Sequence, residues 1–186
     1  MMRLIATLFL LAVLIGSVAA QSASPRSASD ILAESYKHAQ ASDRNVFLMF
    51  HASWCSWCKR LDAVLSDSSV QKIFQSHYVI THLDVLERKE KKETLENPGG
   101  VEVMKELGGA DSGLPFYAIL DAKGKLLVNS NALPKNQNIG FPAAKEEVEA
   151  FMTMIKKTAK RLTDAESTAI IQALAAHAPK PRPATN

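Results

Sequence analysis

The chain has 186 residues, 47% of them hydrophobic and 22% charged, with a net charge of +3. That length suits one domain with a core of useful size. The mild charge, with no basic stripe interleaved with aromatics, argues against a nucleic-acid partner. Residues 1–20 read as a secretory signal peptide: "MMR" is a positive start, "LIATLFLLAVLI" an apolar run, and "GSVAA" a small-residue exit, with the cut after Ala20. An uncleaved membrane anchor is the competing reading, but residues 4–20 are slightly short for a span. A lipid anchor is not expected, because Ser17 stands where the lipidated cysteine would be. The mature chain is therefore expected in the periplasm or outside the cell, free of the membrane.

Residues 21–29 are rich in Ser and Ala and read as a flexible linker. The folded domain is expected over residues 30–177, and residues 178–186 form a Pro-rich tail expected to be disordered. Asp30 can cap a first helix, and "NVFLMFHA" is short and continuously apolar, as a strand buried on both faces would be. From Ser56 the spacing turns helical, with Leu61, Val64 and Leu65 on one face. "VQKIFQSH" follows as a short helix and "YVITHLDV" as a second strand. "LERKEKKETLENPGG" reads as a solvated helix or loop in which Glu87–Lys91 and Lys89–Glu93 pair at i,i+4. "VEVMKEL" is a further helix. Residues 116–120 and 126–128 form a hairpin around "DAKG", residues 143–162 an amphipathic helix, and Thr163 and Asp164 cap a last helix ending near His177. Strands separated by helices, then a hairpin, give an α/β fold: a small mixed sheet with helices on both faces and an extra C-terminal helix.

The only cysteines, Cys55 and Cys58, lie in "HASWCSWCKRLD". Three chemistries compete for them. With His77 and His82 they offer four ligands to a metal, but the gap is long for a zinc site, and strand alternation would put the two histidines on opposite faces. As a structural staple the pair closes too short a loop to restrict the unfolded chain much. As a redox pair they are well placed. A strand ends, a turn follows and a helix begins, so free N–H groups and the positive end of the helix dipole favour a thiolate. Cys58 lies one turn in, able to resolve a mixed disulfide, and export makes such cycling possible. Lys59 and Arg60 add positive charge but lie beyond Cys58 and point to solvent. This chemistry needs no metal and no cofactor.

"FLMFHASWCSWCKRLD" resembles the active-site segment of the thioredoxin-like superfamily, and "GLPFYAILDAKGK" resembles its second signature, a strand entered through a proline. "NIGFPAAKEEVEAFMTMIKK" is similar to the ending of exported members, so the resemblance covers roughly residues 30–157. It implies the thioredoxin-like fold and an exported thiol–disulfide oxidoreductase. It implies a redox-active Cys55–Cys58 disulfide, with Cys55 attacking and Cys58 resolving. It also implies a cis-proline at Pro115 and a client held by the Leu114 backbone. Trp54 is expected to shield the site and line the client groove, and Trp57 to do the same or pack. Ser56 and Trp57 stand where thioredoxins carry Gly-Pro. Met49 replaces their buried aspartate, and His82 maps to that aspartate's lysine partner. A specialised exported oxidoreductase fits these departures better than a general thioredoxin. His51 and His82 are candidates for proton transfer, against the plainer reading of His82 as a packed strand histidine. The implied partners are protein thiol or disulfide clients and a redox partner that reduces or oxidises the pair. A non-enzymatic peptide-binding module with an idle disulfide is the alternative.

Overall fold

A computed structural model describes residues 24–180. The expected signal peptide, the start of the linker and the end of the tail lie outside the described residues. Helix α1 (Ala28–Ser42) opens at Ser27, whose Oγ accepts the Asp30 N–H at 3.2 Å and donates to the Asp30 carboxylate at 2.7 Å. Asp30, expected as the cap, is instead the third helical residue, because Ser27 already supplies the acceptor.

Strand β1 (Asn45–His51) is the centre of the fold. It pairs in parallel with β2 (Tyr78–Asp84) and antiparallel with β3 (Phe116–Leu120), which pairs antiparallel with β4 (Leu126–Asn129). The order is β2-β1-β3-β4, the expected mixed sheet. The continuous apolar run of β1 has a simple cause: both faces of the strand are covered. Phe47 and Met49 pack with α2 (Ser56–Ser66), α3 (Gln71–His77), α6 (Lys145–Thr158) and α7 (Asp164–His177). Val46, Leu48 and Phe50 pack on the opposite face, where α1 contributes Leu32 and α5 (Gly100–Met104) contributes Met104. The last helix begins as its capping residue foretold, with Thr163 accepting the Glu166 N–H at 3.2 Å.

Two local expectations change. His77 ends α3, as the helical reading of "VQKIFQSH" has it, so it does not share a strand with His82 as the alternation argument required. In the charged stretch only α4 (Lys89–Leu95) is helical, and none of its residues is buried. The ion pair there is Lys92–Glu96 at 3.5 Å, while Glu87 lies before the helix and turns inward, away from Lys91. No helix among the described residues is long and apolar enough to cross a membrane.

Candidate active site

The C-terminal end of β1 leads through a tight turn, closed by Cys55 N–H donating to the Ala52 carbonyl at 3.0 Å, into α2. Cys55 is the N-cap of α2 and is disulfide-bonded to Cys58. The Cys58 N–H donates to Cys55 Sγ at 3.1 Å, the contact an N-cap acceptor makes with a free amide of the first turn. A helix start that aims an N–H at sulfur would favour the thiolate once the disulfide is reduced. In this oxidised state Cys55 is 3% accessible and Cys58 1%. The bond draws both sulfurs together under the turn, so the asymmetry between them is one of position along the helix rather than of exposure.

Arg60 departs from expectation. Its guanidinium donates to the His177 carbonyl at 2.8 Å, satisfying an otherwise free acceptor at the end of α7, and sits 5.8 Å from the Trp57 ring centroid. It neither points to solvent nor aims at Cys55. The tryptophans diverge. Trp54 donates from Nε1 to the Leu86 carbonyl at 2.9 Å, toward the loop after β2. Trp57 stacks with Phe141 at 6.0 Å and, with Leu114 and Ile139, lines a cavity of about 420 Å³. Both indoles are almost half exposed. The Leu114–Pro115 bond is cis, and Pro115 leads directly into β3.

The turn is held by a residue the sequence reading left in a solvated stretch. Glu87 is buried, and its carboxylate accepts both the Ser53 main-chain N–H and, at 2.8 Å, the Ser53 hydroxyl. Its own N–H is held by Glu96 at 3.0 Å, and the neighbouring Val85 N–H donates to the His51 carbonyl at 2.8 Å. The loop after β2 is thus laced to the turn before Cys55. Nothing near Glu87 in the sequence signals a partner 34 positions away.

Two histidines and two carboxylates gather beside the helix. Met49 and His82 are register partners across β1 and β2, as the sequence comparison with thioredoxins suggested. The carboxylate beside His82 comes from α2: His82 Nε2 donates to Asp62 Oδ1 at 2.6 Å. Asp62 follows Cys58 by four residues on the same helix, a spacing that could have flagged it. His51 lies between Asp62, at 3.7 Å from Nδ1, and Asp84, at 3.3 Å from Nε2, and that Nε2 makes no hydrogen bond. Burial is the first cause lowering the His51 pKa below 6.5, ahead of the opposing pull of Asp84, and burial likewise raises the Asp84 pKa above 3.8.

A pH limb follows. Below pH 6.5 the unfolded chain protonates His51 while the folded protein resists, so stability should fall as pH drops through 6.5 toward the lowered folded value. Asp84 acts with the opposite sign at lower pH, where the folded protein takes up its proton first. Urea midpoints at pH 7.5 and 5.5 are expected to differ less in His51→Gln than in the unaltered protein. An undiminished difference would assign the limb to another group.

A profile described as thioredoxin-like matches residues 28–122. No curated protein sequence matches the chain. Among solved structures, a disulphide isomerase from Xylella fastidiosa Temecula1 is 18% identical, with TM-score 0.46 over 55% of this chain and 72% of that one. A thioredoxin from Thermus thermophilus is 20% identical, with TM-score 0.43 over 74% of this chain and 87% of that one. The C-terminal domain of Neisseria meningitidis DsbD, in its oxidised form, is 22% identical, with TM-score 0.42 over 57% of this chain and 84% of that one.

Proposed function

The chain belongs to the thioredoxin-like family and is a thiol–disulfide oxidoreductase of that kind, and we propose that it is exported and exchanges electrons with protein thiols through Cys55 and Cys58. The observation that carries this reading is the cysteine pair at the start of α2, with the Cys58 N–H on Cys55 Sγ at 3.1 Å. The signal-peptide pattern of residues 1–20 supports export.

In the reducing direction the Cys55 thiolate attacks one sulfur of a client disulfide. A Cys55–client bond forms and one client thiolate leaves. Cys58, deprotonated, then attacks Cys55 Sγ, the second client thiolate leaves, and the Cys55–Cys58 disulfide reforms. Two electrons have passed to the client, and a partner must return them. The candidates to take the proton of Cys58 are His82, which Asp62 orients, and His51, although burial opposes the charge that His51 would gain. The client lies along Leu114, against Trp57. Trp54 covers the opposite side of the turn.

The poise is moderate. The thiolate gains a helix N-terminus and one N–H, while the Arg60 charge is spent on the end of α7. A pair so stabilised is expected at about −200 to −270 mV, well below the about −120 mV of the strongest oxidants. In an oxidising compartment it would rest as the disulfide and act as a reductant only when supplied with electrons. Two measurements test this. The protein should accelerate insulin reduction by dithiothreitol, and equilibration with glutathione buffers should return a potential in that range. No acceleration would sink the enzymatic reading. A potential near that of the strong oxidants would mean an unrecognised stabiliser of the Cys55 thiolate.

A further inference from the structure

Three groups of residues around the site have no assigned part: the Glu87 strap, the contact of α7 with α2, and a row of asparagines between β4 and α6. The asparagines are the most informative. Asn129, Asn131 and Asn138 each donate a side-chain amide to the segment running from the end of α5 to β3. Asn129 reaches the Leu107 carbonyl and Asn131 the Gly108 carbonyl, both at 2.8 Å. Asn138 is different. Its Nδ2 donates to the Gly113 carbonyl at 2.8 Å and to the Pro115 carbonyl at 3.0 Å, one on each side of Leu114.

One amide has two N–H bonds, and both are used here. The remaining oxygen is used as well, accepting the Gly140 N–H at 3.2 Å. The next residue, Ile139, is buried, and its N–H donates at 2.8 Å to the Ser130 carbonyl, while the Ser130 N–H donates to Tyr117 in β3. Asn138 is therefore anchored to the sheet and holds the flanks of Leu114 from outside. Leu114 itself is left free: among the described residues neither its N–H nor its C=O has a hydrogen-bond partner. Unpaired main-chain groups on a held segment are what an extended peptide needs in order to add as a strand. By occupying the flanking carbonyls, Asn138 also removes the competing acceptors and leaves one residue to receive the client.

We infer that Asn138 is a positioning residue for protein clients: it fixes the segment around Leu114 so that an extended client main chain pairs there. The inference rests on the proposed oxidoreductase function and on Leu114 as the client contact. It separates two substrate classes. A disulfide in an extended polypeptide uses the Leu114 groups, whereas a small disulfide such as hydroxyethyl disulfide has no main chain to pair.

Steady-state turnover of insulin and of hydroxyethyl disulfide should be measured with the reduced protein and its variants. In Asn138→Ala the KM for insulin is expected to rise about tenfold, the scale of one or two lost hydrogen bonds, with kcat and the small-disulfide rate unchanged. Asn138→Asp keeps the shape but sets a carboxylate against two carbonyl oxygens, so its KM should rise at least as far. Asn131→Ala, which loses the bonds to the Gly108 carbonyl and to the Ser112 hydroxyl, both at 2.8 Å, but leaves both carbonyls flanking Leu114 held, controls for general loosening and should leave KM alone. Should Asn138→Ala melt below the assay temperature, Asn138→Ser, whose hydroxyl can reach only one carbonyl, is judged by the same criteria. An unchanged insulin KM, a rise matched by Asn131→Ala, or equal loss on both substrates would overturn the role of Asn138. Failure of the unaltered protein to turn over either disulfide would instead count against the oxidoreductase reading itself.

Discussion

Cys55→Ser should abolish disulfide exchange, and Cys58→Ala should trap clients as mixed disulfides. The difference follows from the helix start. Cys55 is the N-cap residue and receives the Cys58 N–H on its sulfur, so its thiolate is the one the backbone stabilises. A serine there keeps the cap but has no sulfur to attack with. Cys58 lies three positions into α2, placed to attack Cys55 Sγ in a mixed disulfide. Removing Cys58 leaves attack intact and blocks only resolution. Insulin turnover should drop to background in both variants. Non-reducing gels should show covalent client adducts in Cys58→Ala and none in Cys55→Ser. Alkylation of the reduced protein at neutral pH should modify Cys55 first. Adducts in Cys55→Ser, or first labelling at Cys58, would reverse the roles.

The second large effect belongs to the core beneath the site. Phe47 is fully buried in β1 and meets three aromatic rings: Tyr117 stacked at 5.4 Å, Tyr78 edge-on at 6.0 Å and Phe151 at 6.5 Å. Those rings come from β3, β2 and α6, so this one side chain joins the central strand to both neighbours and to a covering helix. Truncating such a residue loses both the transfer free energy and the contacts around the cavity left behind. Phe47→Ala should cost about 3–5 kcal/mol, a third or more of a typical domain's stability of about 5–15 kcal/mol. Leu126→Ala, on a side chain 38% exposed in β4, should stay within about 0.5 kcal/mol. Urea denaturation of the oxidised protein measures both. A loss under about 1 kcal/mol for Phe47→Ala would mean that the rings repack around the gap.

Much of this architecture is local in origin. The unbroken apolar run of β1 announced a strand covered twice, and Thr163 announced the last helix. The cysteine pair lay where a strand gives way to a helix. Each of these is a signal carried by neighbours in the chain, with hydrogen-bond or burial periods of a few residues. The misreadings were also local. Asp30 looked like a cap because the competing acceptor, Ser27, fell in a stretch read as linker. Glu87 was paired with Lys91 because an i,i+4 spacing is the only partner a sequence can show. An exposed pair of that kind is worth only a few tenths of a kcal/mol, whereas a buried carboxylate must find donors, and Glu87 finds them on Ser53.

The sequence by itself determined the fold class, the two-faced sheet and which sulfur caps the helix, because backbone hydrogen bonding and apolar burial act over short spans. Only the tertiary structure decided what surrounds that sulfur. Asp62 meets His82 across 20 positions, Glu87 meets Ser53 across 34, and Arg60 meets the end of α7 across 117. Asn138 joins this group, reaching back 25 and 23 positions to the carbonyls around Leu114. These partners are chosen by which polar groups the packed sheet and helices bring together away from water, and an unpaired group there is costly enough to select them.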